Sequence, residues 1–205
     1  MDTGDVKKPV LVLASGSPRR SNLLRMLGIP IEVKTSGVDE SVLDQSSPES
    51  YTADAAELKA RAVANRCSNG TWILAADTTV VLDGRILGKP DSEKHARQML
   101  SLLSGKTHQV ITAVSLLRAG TDSADGFMTC TDVTFRVLDR AWIEGYVATG
   151  EPMDKAGAYG VQGIGAILVR NINGSYTNVV GLPLDETVDL LSRAGIWRPF
   201  DGGGL

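Results

Sequence analysis

The segment Ser15-Gly16-Ser17-Pro18-Arg19-Arg20 combines two hydroxyl groups and two guanidinium groups around a tight turn. Backbone N–H groups at the start of a helix attract phosphate oxygens, and an arginine can hold a phosphate through two parallel hydrogen bonds. Two cations at a helix N-terminus oppose the helix dipole unless something negative binds there. The segment therefore predicts a phosphate site; the alternative is a capped surface helix whose first turn happens to be basic.

Carboxylates suited to metal binding or proton transfer occur in two further places. Asp77 follows the apolar run 72–76, and the end of a buried strand is a common catalytic or metal-binding position in α/β proteins. Asp39 and Glu40 follow Gly37, and loop carboxylates can hold magnesium together with substrate phosphates. The alternatives are a turn or helix-capping role for Asp77 and a solvated loop for the other two.

Three single residues complete the candidate set. Lys89, in Gly88-Lys89-Pro90, carries a charge that can neutralise a leaving pyrophosphate. Lys59 lies in the middle of a predicted helix, where it is either a phosphate contact or a surface lysine. Gln162 lies in a glycine-rich segment, residues 156–163, that allows a flat ligand to approach the backbone. Its amide offers a donor and an acceptor to the edge of a nucleobase.

Two familiar nucleotide-binding motifs are missing from the sequence. Gly105-Lys106-Thr107 matches the end of a P-loop, but Leu100 stands where that motif requires glycine. No GxGxxG pattern follows a predicted strand, so a Rossmann cofactor site is unsupported. His95 and His108 have no nucleophilic partner in a readable pattern, and the sequence therefore gives no support for a covalent enzyme intermediate.

Strand and helix patterns alternate along the chain in a way that can place these residues around one sheet. An apolar run at 10–14 predicts a strand that ends at the Ser15 turn, and leucines at helical spacing predict the helix that follows, ended by Gly28. The further predicted elements are a strand at 31–35, a helix from 47 to about 67, a strand at 72–76, a hairpin of 79–82 and 85–87, a helix from 91, strands at 110–117 and 128–137, a helix from 139 to about 149, a strand at 166–170 and a last helix from 183. The pattern predicts an α/β fold with a mixed, twisted sheet and flanking helices.

Length and composition favour one cytoplasmic domain. The 205 residues fit a single domain, with residues 1–8 and 200–205 as flexible tails. A formal net charge of -3 gives no field that would attract a nucleic acid or an anionic membrane. Cys67 and Cys130 lie far apart and indicate reduced thiols. The sequence has no secretory signal and no run of about 20 apolar residues, which predicts a cytoplasmic location.

Seven separated blocks of the sequence resemble the Maf family of nucleoside triphosphate pyrophosphatases. They follow the family's order over residues 10–191, nearly the whole chain. The blocks are LASGSPRR, AADTTV, GKP, LSGKTHQV, GYVATGEPMDKAGAYGVQG, INGSY and VVGLPL. The resemblance implies two lobes around a deep cleft, similar to the inosine-triphosphatase fold. It also implies a divalent cation, Mg²⁺ or Mn²⁺, and frequently a homodimer.

The resemblance further implies a role for each matching residue. It makes Asp77 the proton acceptor that activates water. The positions that line the family's phosphate and metal site are Ser15, Arg20, Glu40, Lys59 and Lys89. The positions at which the family's branches differ are Arg19, Thr78 and Gln162, the pattern of the branch that acts on dTTP and UTP. The branch that acts on 7-methylguanosine triphosphate usually has tryptophan, glutamine and glutamate there. This chain departs from the family at Asp54, where relatives often have arginine.

The sequence thus favours hydrolysis of dTTP, UTP and modified pyrimidine analogues between the α and β phosphates, either to remove unwanted nucleotides or to control their pool. In this hypothesis the Ser15–Ser17 turn positions the phosphates, and Lys89 and Glu40 support the reaction. Asp77 is the general base, a metal ligand with Glu40, or both. Two alternatives remain: a pyrophosphatase for modified purine triphosphates, and a regulatory nucleotide-binding protein of cell-division arrest that binds without turnover.

Overall fold

The computed structural model describes residues 11–45 and 47–200, which form one sheet with helices on both faces. The strands are β1 (Leu11–Leu13), β2 (Ile31–Val33), β3 (Trp72–Leu82), β4 (Arg85–Leu87), β5 (Thr107–Arg118), β6 (Ala124–Phe135) and β7 (Val169–Asn173). The α-helices are α1 (Pro18–Met26), α2 (Pro48–Ala64), α3 (Glu93–Leu103), α4 (Arg140–Ala148), α5 (Tyr176–Val180) and α6 (Leu184–Arg193). Short 3₁₀-helices form at Glu40–Val42, Glu151–Asp154, Ala156–Ala158 and Ile164–Leu168. Residue 10 of the first predicted strand, and residues 1–8 and 201–205 of the predicted tails, lie outside the described ranges.

The sheet is mixed, with the strand order β2-β1-β3-β5-β6-β7 and with β4 paired to β3 beside this path. β1 runs parallel to both β2 and β3. β3, β5, β6 and β7 pair antiparallel in turn. The predicted pair of long strands is confirmed as β5 and β6, and the predicted α/β class with a mixed sheet and flanking helices is confirmed with it.

One lobe surrounds the parallel part of the sheet. Side chains alternate along β1, so that Leu11 and Leu13 pack with α1 and α6 on one face and Val12 packs with α2 on the other. Leu24 of α1 and Ala60 of α2 are fully buried in these two layers. Burial on both faces fixes the end of β1, and thereby the turn that follows it.

The second lobe is a core around the far halves of the long strands. Val80 and Leu82 of β3 join Phe135 of β6 and side chains of α3 and α4 in one buried cluster. β3 therefore contributes to both lobes. Residues 77–79 are the polar stretch between its two apolar halves.

Continuity of β3 contradicts the expectation that one strand ends at residue 76 and another begins at 79. β5 pairs with β3 along residues 72–81, which keeps the strand extended through its polar stretch. β1 pairs only with residues 72–74 of β3, so the opposite edge is open beside Asp77. Asp77 lies in mid-strand, next to the point where β1, rather than β3, leaves the sheet.

The segment after the glycine-rich region also differs from the expectation. The strand predicted at 166–170 is a 3₁₀-helix, Ile164–Leu168, followed by β7 at Val169–Asn173. The N–H groups of Ile164 and Gly165 bind the carboxylate of Glu151 instead of a neighbouring strand. The five-residue helix α5 was not predicted; Ser175 caps it by accepting a hydrogen bond from the Asn178 N–H.

No helix within residues 11–45 and 47–200 combines the length and the apolar character needed to cross a membrane.

Candidate active site

A cleft of about 1000 Å³ lies between the two lobes, over the polar stretch of β3. Apart from Asp39, which caps the 3₁₀-helix Glu40–Val42 by accepting a hydrogen bond from the Ser41 N–H, the structure brings all the candidate residues of the sequence analysis, ten in number, to its walls. They are Ser15, Ser17, Arg19, Arg20, Glu40, Lys59, Thr78, Asp77, Lys89 and Gln162. They come from six separate segments of the chain, so the fold, and not sequence proximity, assembles the site.

The turn after β1 forms one end of the cleft. The Ala14 N–H donates to Leu74 O at 2.8 Å, which holds the turn to β3 as β1 ends. The Ser17 N–H donates to Ser15 Oγ at 3.2 Å. Ser17 occupies the N-cap position of α1, but its hydroxyl makes no capping hydrogen bond. The first turn of α1 therefore presents N–H groups that a bound anion can accept from.

Arg20 is half-buried beside this turn and is held by three neutral acceptors. Its guanidinium donates to Gly181 O at 2.7 Å, to Ser15 Oγ at 3.1 Å and to Thr78 Oγ1 at 2.9 Å. Burial lowers the pKa of Arg20, and the negative charge of Asp77 opposes that effect. No carboxylate forms an ion pair with Arg20 among the described residues. Its guanidinium is therefore held in one orientation, and its positive charge can bind an anionic ligand.

Thr78 lines the cleft, but its hydroxyl is engaged inside the protein. It accepts from Arg20 and lies 2.9 Å from Thr112 Oγ1, which in turn donates to Asn178 O at 3.1 Å. With the Thr112 proton given to Asn178, Thr78 must donate to Thr112. In this arrangement Thr78 acts by holding Arg20.

The floor of the cleft carries a lysine between two carboxylates. Lys59 Nζ lies 2.6 Å from Asp77 Oδ1 and 3.0 Å from Glu40 Oε1. The side chains of Lys59 and Asp77 are only 13% and 12% exposed, so water screens this pair weakly. Thr79 Oγ1 donates to the other oxygen, Asp77 Oδ2, at 3.3 Å. Asp77 is thus oriented on both oxygens, and Oδ1 faces a cation.

The carboxylate oxygens of Glu40 and Asp77 are suited to hold a divalent cation together with an anionic ligand. Glu40 and Asp77 each direct an oxygen at the same ammonium group, so both carboxylates converge on one position for positive charge. The part of the chain that the structure describes has no group of three or more His, Cys, Asp or Glu side chains placed to hold a metal ion. One or two carboxylates completed by substrate phosphates is the usual protein site for Mg²⁺.

The opposite wall carries Lys89 and the glycine-rich segment, and Arg19 of α1 reaches towards it. Arg19 crosses the cleft to an ion pair with Asp154 at 3.4 Å, and Asp154 also contacts Lys155 Nζ at 2.6 Å. Lys89 is exposed and has no ion-pair partner in the described ranges, which leaves its charge free to meet a phosphate. Gln162 is exposed and lines the cleft.

Sequence reasoning gave no role to several polar residues of the cleft, among them Tyr51, Glu151, Asp154 and Lys155. Tyr51 lies on α2 eight residues before Lys59, a spacing that places both on one helix face and that could have revealed it. Burial raises the pKa of Tyr51, with a further contribution from the charges of Glu40 and Asp77. The other three lie in the block GYVATGEPMDKAGAYGVQG, which could have drawn attention to them, although the sequence does not show which groups they contact.

Comparison with known proteins agrees with the blocks in the sequence. The family model described as "Maf-like protein" matches residues 10–194. The chain is 52% identical over 188 residues to the dTTP/UTP pyrophosphatase of Escherichia coli O157:H7, covering 92% of this chain and 94% of the relative. It is 51% identical to the protein of the same name from Escherichia coli strain K12, with the same coverage.

Solved structures give a more distant likeness. The HAM1 protein from Coxiella burnetii aligns with a TM-score of 0.47 and 16% identity, covering 64% of this chain and 75% of that one. A nucleoside-triphosphatase, or dITP/XTP pyrophosphatase, from Mycobacterium abscessus aligns with a TM-score of 0.45 and 16% identity, covering 91% and 95%.

Proposed function

The chain belongs to the Maf family, and from this membership and the cleft we propose that it hydrolyses nucleoside triphosphates to the monophosphate and pyrophosphate. The proposed substrates are dTTP, UTP and modified pyrimidine analogues, the first two being named in its relatives at about 51% identity. The observation that carries the proposal is the convergence of Lys59, Asp77 and Glu40 beside the uncapped start of α1. The carboxylate of Asp77, which can accept a proton, lies there next to the N–H groups of α1, which can bind phosphate.

The phosphate chain has three sets of partners in this cleft. The Ser15–Ser17 turn offers N–H and hydroxyl donors, Arg20 offers an aimed guanidinium, and Lys89 offers an exposed ammonium. Phosphoryl transfer depends mainly on such positioning and on electrostatic stabilisation of the transferred group. The cleft needs no nucleophilic side chain for this chemistry.

In the proposed reaction a water attacks the α-phosphorus. The oxygen–phosphorus bond forms, the bond from the α-phosphorus to the oxygen that bridges it to the β-phosphorus breaks, and the proton of the water goes to Asp77. Pyrophosphate leaves with the electron pair of the broken bond. Lys59 and Lys89 offset the negative charge that develops on it.

A divalent cation, Mg²⁺ or Mn²⁺, belongs to the proposal. Glu40 and Asp77 would hold it together with phosphate oxygens of the substrate, and when bound it supplies neutralisation of charge on those oxygens. The ammonium of Lys59 contacts both carboxylates in the structure, so Lys59 would share the oxygens of Glu40 and Asp77 with the bound cation.

Base selection is assigned to Arg19, Thr78 and Gln162. Gln162 is exposed in the cleft and can satisfy both the acceptor and the donor of a pyrimidine edge. Arg19 reaches across the cleft to Asp154, and Thr78 orients Arg20, so these two shape the space that the base and sugar enter. A homodimer, a cytoplasmic location and the absence of a nucleic-acid or membrane partner are part of the proposal on the strength of the sequence.

The test is pyrophosphate release from a panel of triphosphates with Mg²⁺ or Mn²⁺, for the wild type and for a variant with Arg19→Trp, Thr78→Gln and Gln162→Glu together. We expect the wild type to prefer dTTP and UTP over CTP, 7-methylguanosine triphosphate and inosine triphosphate. The triple variant should lose that preference by roughly a hundredfold, the discrimination that a few lost polar contacts provide. A wild type that prefers a purine would overturn the specificity, and binding without release would favour the regulatory alternative.

A further inference from the structure

Glu151, in the wall opposite Asp77, is a carboxylate bound entirely by neutral donors. Its Oε1 accepts from Tyr146 OH at 2.8 Å and from the Gly165 N–H at 2.9 Å. Its Oε2 accepts from the Ile164 N–H at 2.8 Å. No lysine, arginine or histidine forms an ion pair with this carboxylate in the described part of the chain. The hydrogen bonds of the Glu151 carboxylate therefore all go to neutral groups of the protein, namely two backbone N–H groups and a tyrosine hydroxyl.

The contacts of Glu151 and Tyr146 enclose one segment, residues 160–165. Tyr146 OH donates to Glu151 and accepts from the Gly160 N–H at 3.2 Å, so the two side chains bind N–H groups at both ends of the segment. Burial acts to raise the pKa of Glu151, but the hydrogen bonds from Gly165, Tyr146 and Ile164, together with the nearby charge of Lys155, outweigh it and lower that pKa. The charged form thus holds the segment. Gln162 lies between the bound N–H groups.

Glycines in the segment allow it to wrap closely around these two side chains. A Cβ atom on Gly163 would overlap Glu151 Oε2 and Oε1. A Cβ atom on Gly165 would overlap Tyr146 OH. The close approach is possible because neither position has a side chain, which indicates that the segment is shaped around this carboxylate.

We infer that Glu151 is a positioning residue for base selection: with Tyr146 it fixes residues 160–165 and thereby presents Gln162 to the nucleobase. The inference rests on the proposed function and extends it to a residue outside the three selector positions. Glu151 makes no hydrogen bond or ion pair to Asp77, Lys59 or Glu40. Its loss should therefore affect which base is accepted more than the rate at which a bound triphosphate is cleaved.

The variants Glu151→Gln and Tyr146→Phe test this inference. Glutamine has the same shape, but its NH₂ group cannot accept from an N–H, so at least one of the three hydrogen bonds to residue 151 is lost. The phenylalanine removes the hydroxyl that binds both Glu151 and Gly160. Glu144→Gln is the matched control, because Glu144 lies on α4 with Tyr146 and pairs with the exposed Arg140.

The measurement is kcat and KM for dTTP, UTP and inosine triphosphate, with the melting temperature of each protein. For both variants we expect KM for dTTP to rise and the preference for dTTP over inosine triphosphate to fall, each by roughly tenfold, as expected when a polar contact to the base is lost. The value of kcat should stay within about threefold, and Glu144→Gln should match the wild type. An equal fall in kcat/KM for all three nucleotides would show a purely structural role and would overturn the inference.

Two outcomes separate this inference from the proposed function. If the wild type releases no pyrophosphate, the proposed function fails, and the same three nucleotides are compared by Kd; unchanged selectivity of binding in the variants then overturns the inference as well. If Glu151→Gln does not fold, Tyr146→Phe decides alone, since it leaves the carboxylate with both of its N–H donors.

Discussion

Asp77 and Glu151 are carboxylates on opposite walls of one cleft, and they differ in what holds them. Asp77 Oδ1 contacts the ammonium of Lys59, at the end of a long side chain that also reaches Glu40. Glu151 is bound by two backbone N–H groups and a tyrosine hydroxyl. The partner of Asp77 can turn to a phosphate without any change in the backbone. The partners of Glu151 cannot leave it unless residues 160–165 change shape.

The difference shows how one cleft can separate reactivity from recognition. A carboxylate that takes part in chemistry must be able to exchange a partner during each turnover. A carboxylate that holds a recognition loop must keep its partners, because preorganised contacts give selectivity at the smallest cost in ordering. In the proposed function the first is Asp77, on a strand between two lobes, and the second is Glu151, on a short 3₁₀-helix, Glu151–Asp154, packed against its own loop.

The largest expected effect distinguishes the two carboxylates directly. Asp77→Asn should lower kcat by about a thousandfold or more, because an amide does not accept the proton of the attacking water. Its melting temperature should change little, since Glu40 remains as a partner for Lys59. Glu151→Gln should show the reverse pattern, with a lower melting temperature and a retained kcat. Rate assays and thermal unfolding of both variants check these opposite changes. If kcat and the melting temperature change in the same way in both variants, the distinction between the two carboxylates is wrong.

An acid-dependent loss of stability is expected from a buried histidine on the Glu151 side of the cleft. His108 lies behind this wall, with Nε2 at 2.8 Å from Tyr159 OH, and burial lowers its pKa to about 4 from an ordinary value near 6.5. Between those two pH values the unfolded chain binds a proton that the folded chain does not, so stability falls as the pH falls. The loss should approach about 3 kcal/mol by pH 4.

The check is the free energy of unfolding in urea at pH 7.0, 5.5 and 4.5. His108→Gln should remove most of the decrease, because glutamine can still pair with Tyr159 but does not titrate. His95→Gln is the control, since His95 lies on the outer face of α3 and is 39% exposed. An unchanged decrease in His108→Gln would assign it to other groups.

The smallest expected effect concerns Lys89, the exposed cation of the cleft. Lys89→Met should lower kcat roughly tenfold by removing one charge that stabilises the leaving pyrophosphate. Its stability should match the wild type, because no ion pair is lost. Lys94→Met, on the exposed face of α3, is the matched control for removing a surface lysine. Equal activity of the two variants would place Lys89 outside the reaction.

The sequence was sufficient for the parts of the site that depend on local pattern. A β-rich run followed by a serine, a proline and leucines at helical spacing predicted β1, the turn and α1, because each boundary is set by the residues at it. The blocks of residues contain eight of the ten positions, the resemblance to the family adds Glu40 and Lys59 outside the blocks, and the cleft contains all ten.

Contacts between distant segments set the limit of that prediction. β3 runs through Asp77 because β5 pairs with it across some 35 residues of sequence, and periodicity within β3 carries no trace of that partner. The role of Thr78 depends on Arg20, 58 residues away, and the shape of residues 160–165 depends on a carboxylate 13 or 14 residues before them. Such contacts join a side chain to backbone groups or to one remote atom, so the sequence pattern around them looks like an ordinary loop.

The hydrogen bond from Arg20 to Gly181 O also bears on how the protein is made. The two residues are 161 positions apart, yet this bond helps to orient the guanidinium beside the Ser15 turn. During synthesis the Ser15 turn and Arg20 leave the ribosome long before residue 181 is made, and domains generally fold as units. Until then the Arg20 guanidinium lacks this anchor, and the cleft is complete only when α5 and Gly181 pack on the sheet. In the proposed function, a bound triphosphate would therefore stabilise finished molecules over incomplete ones.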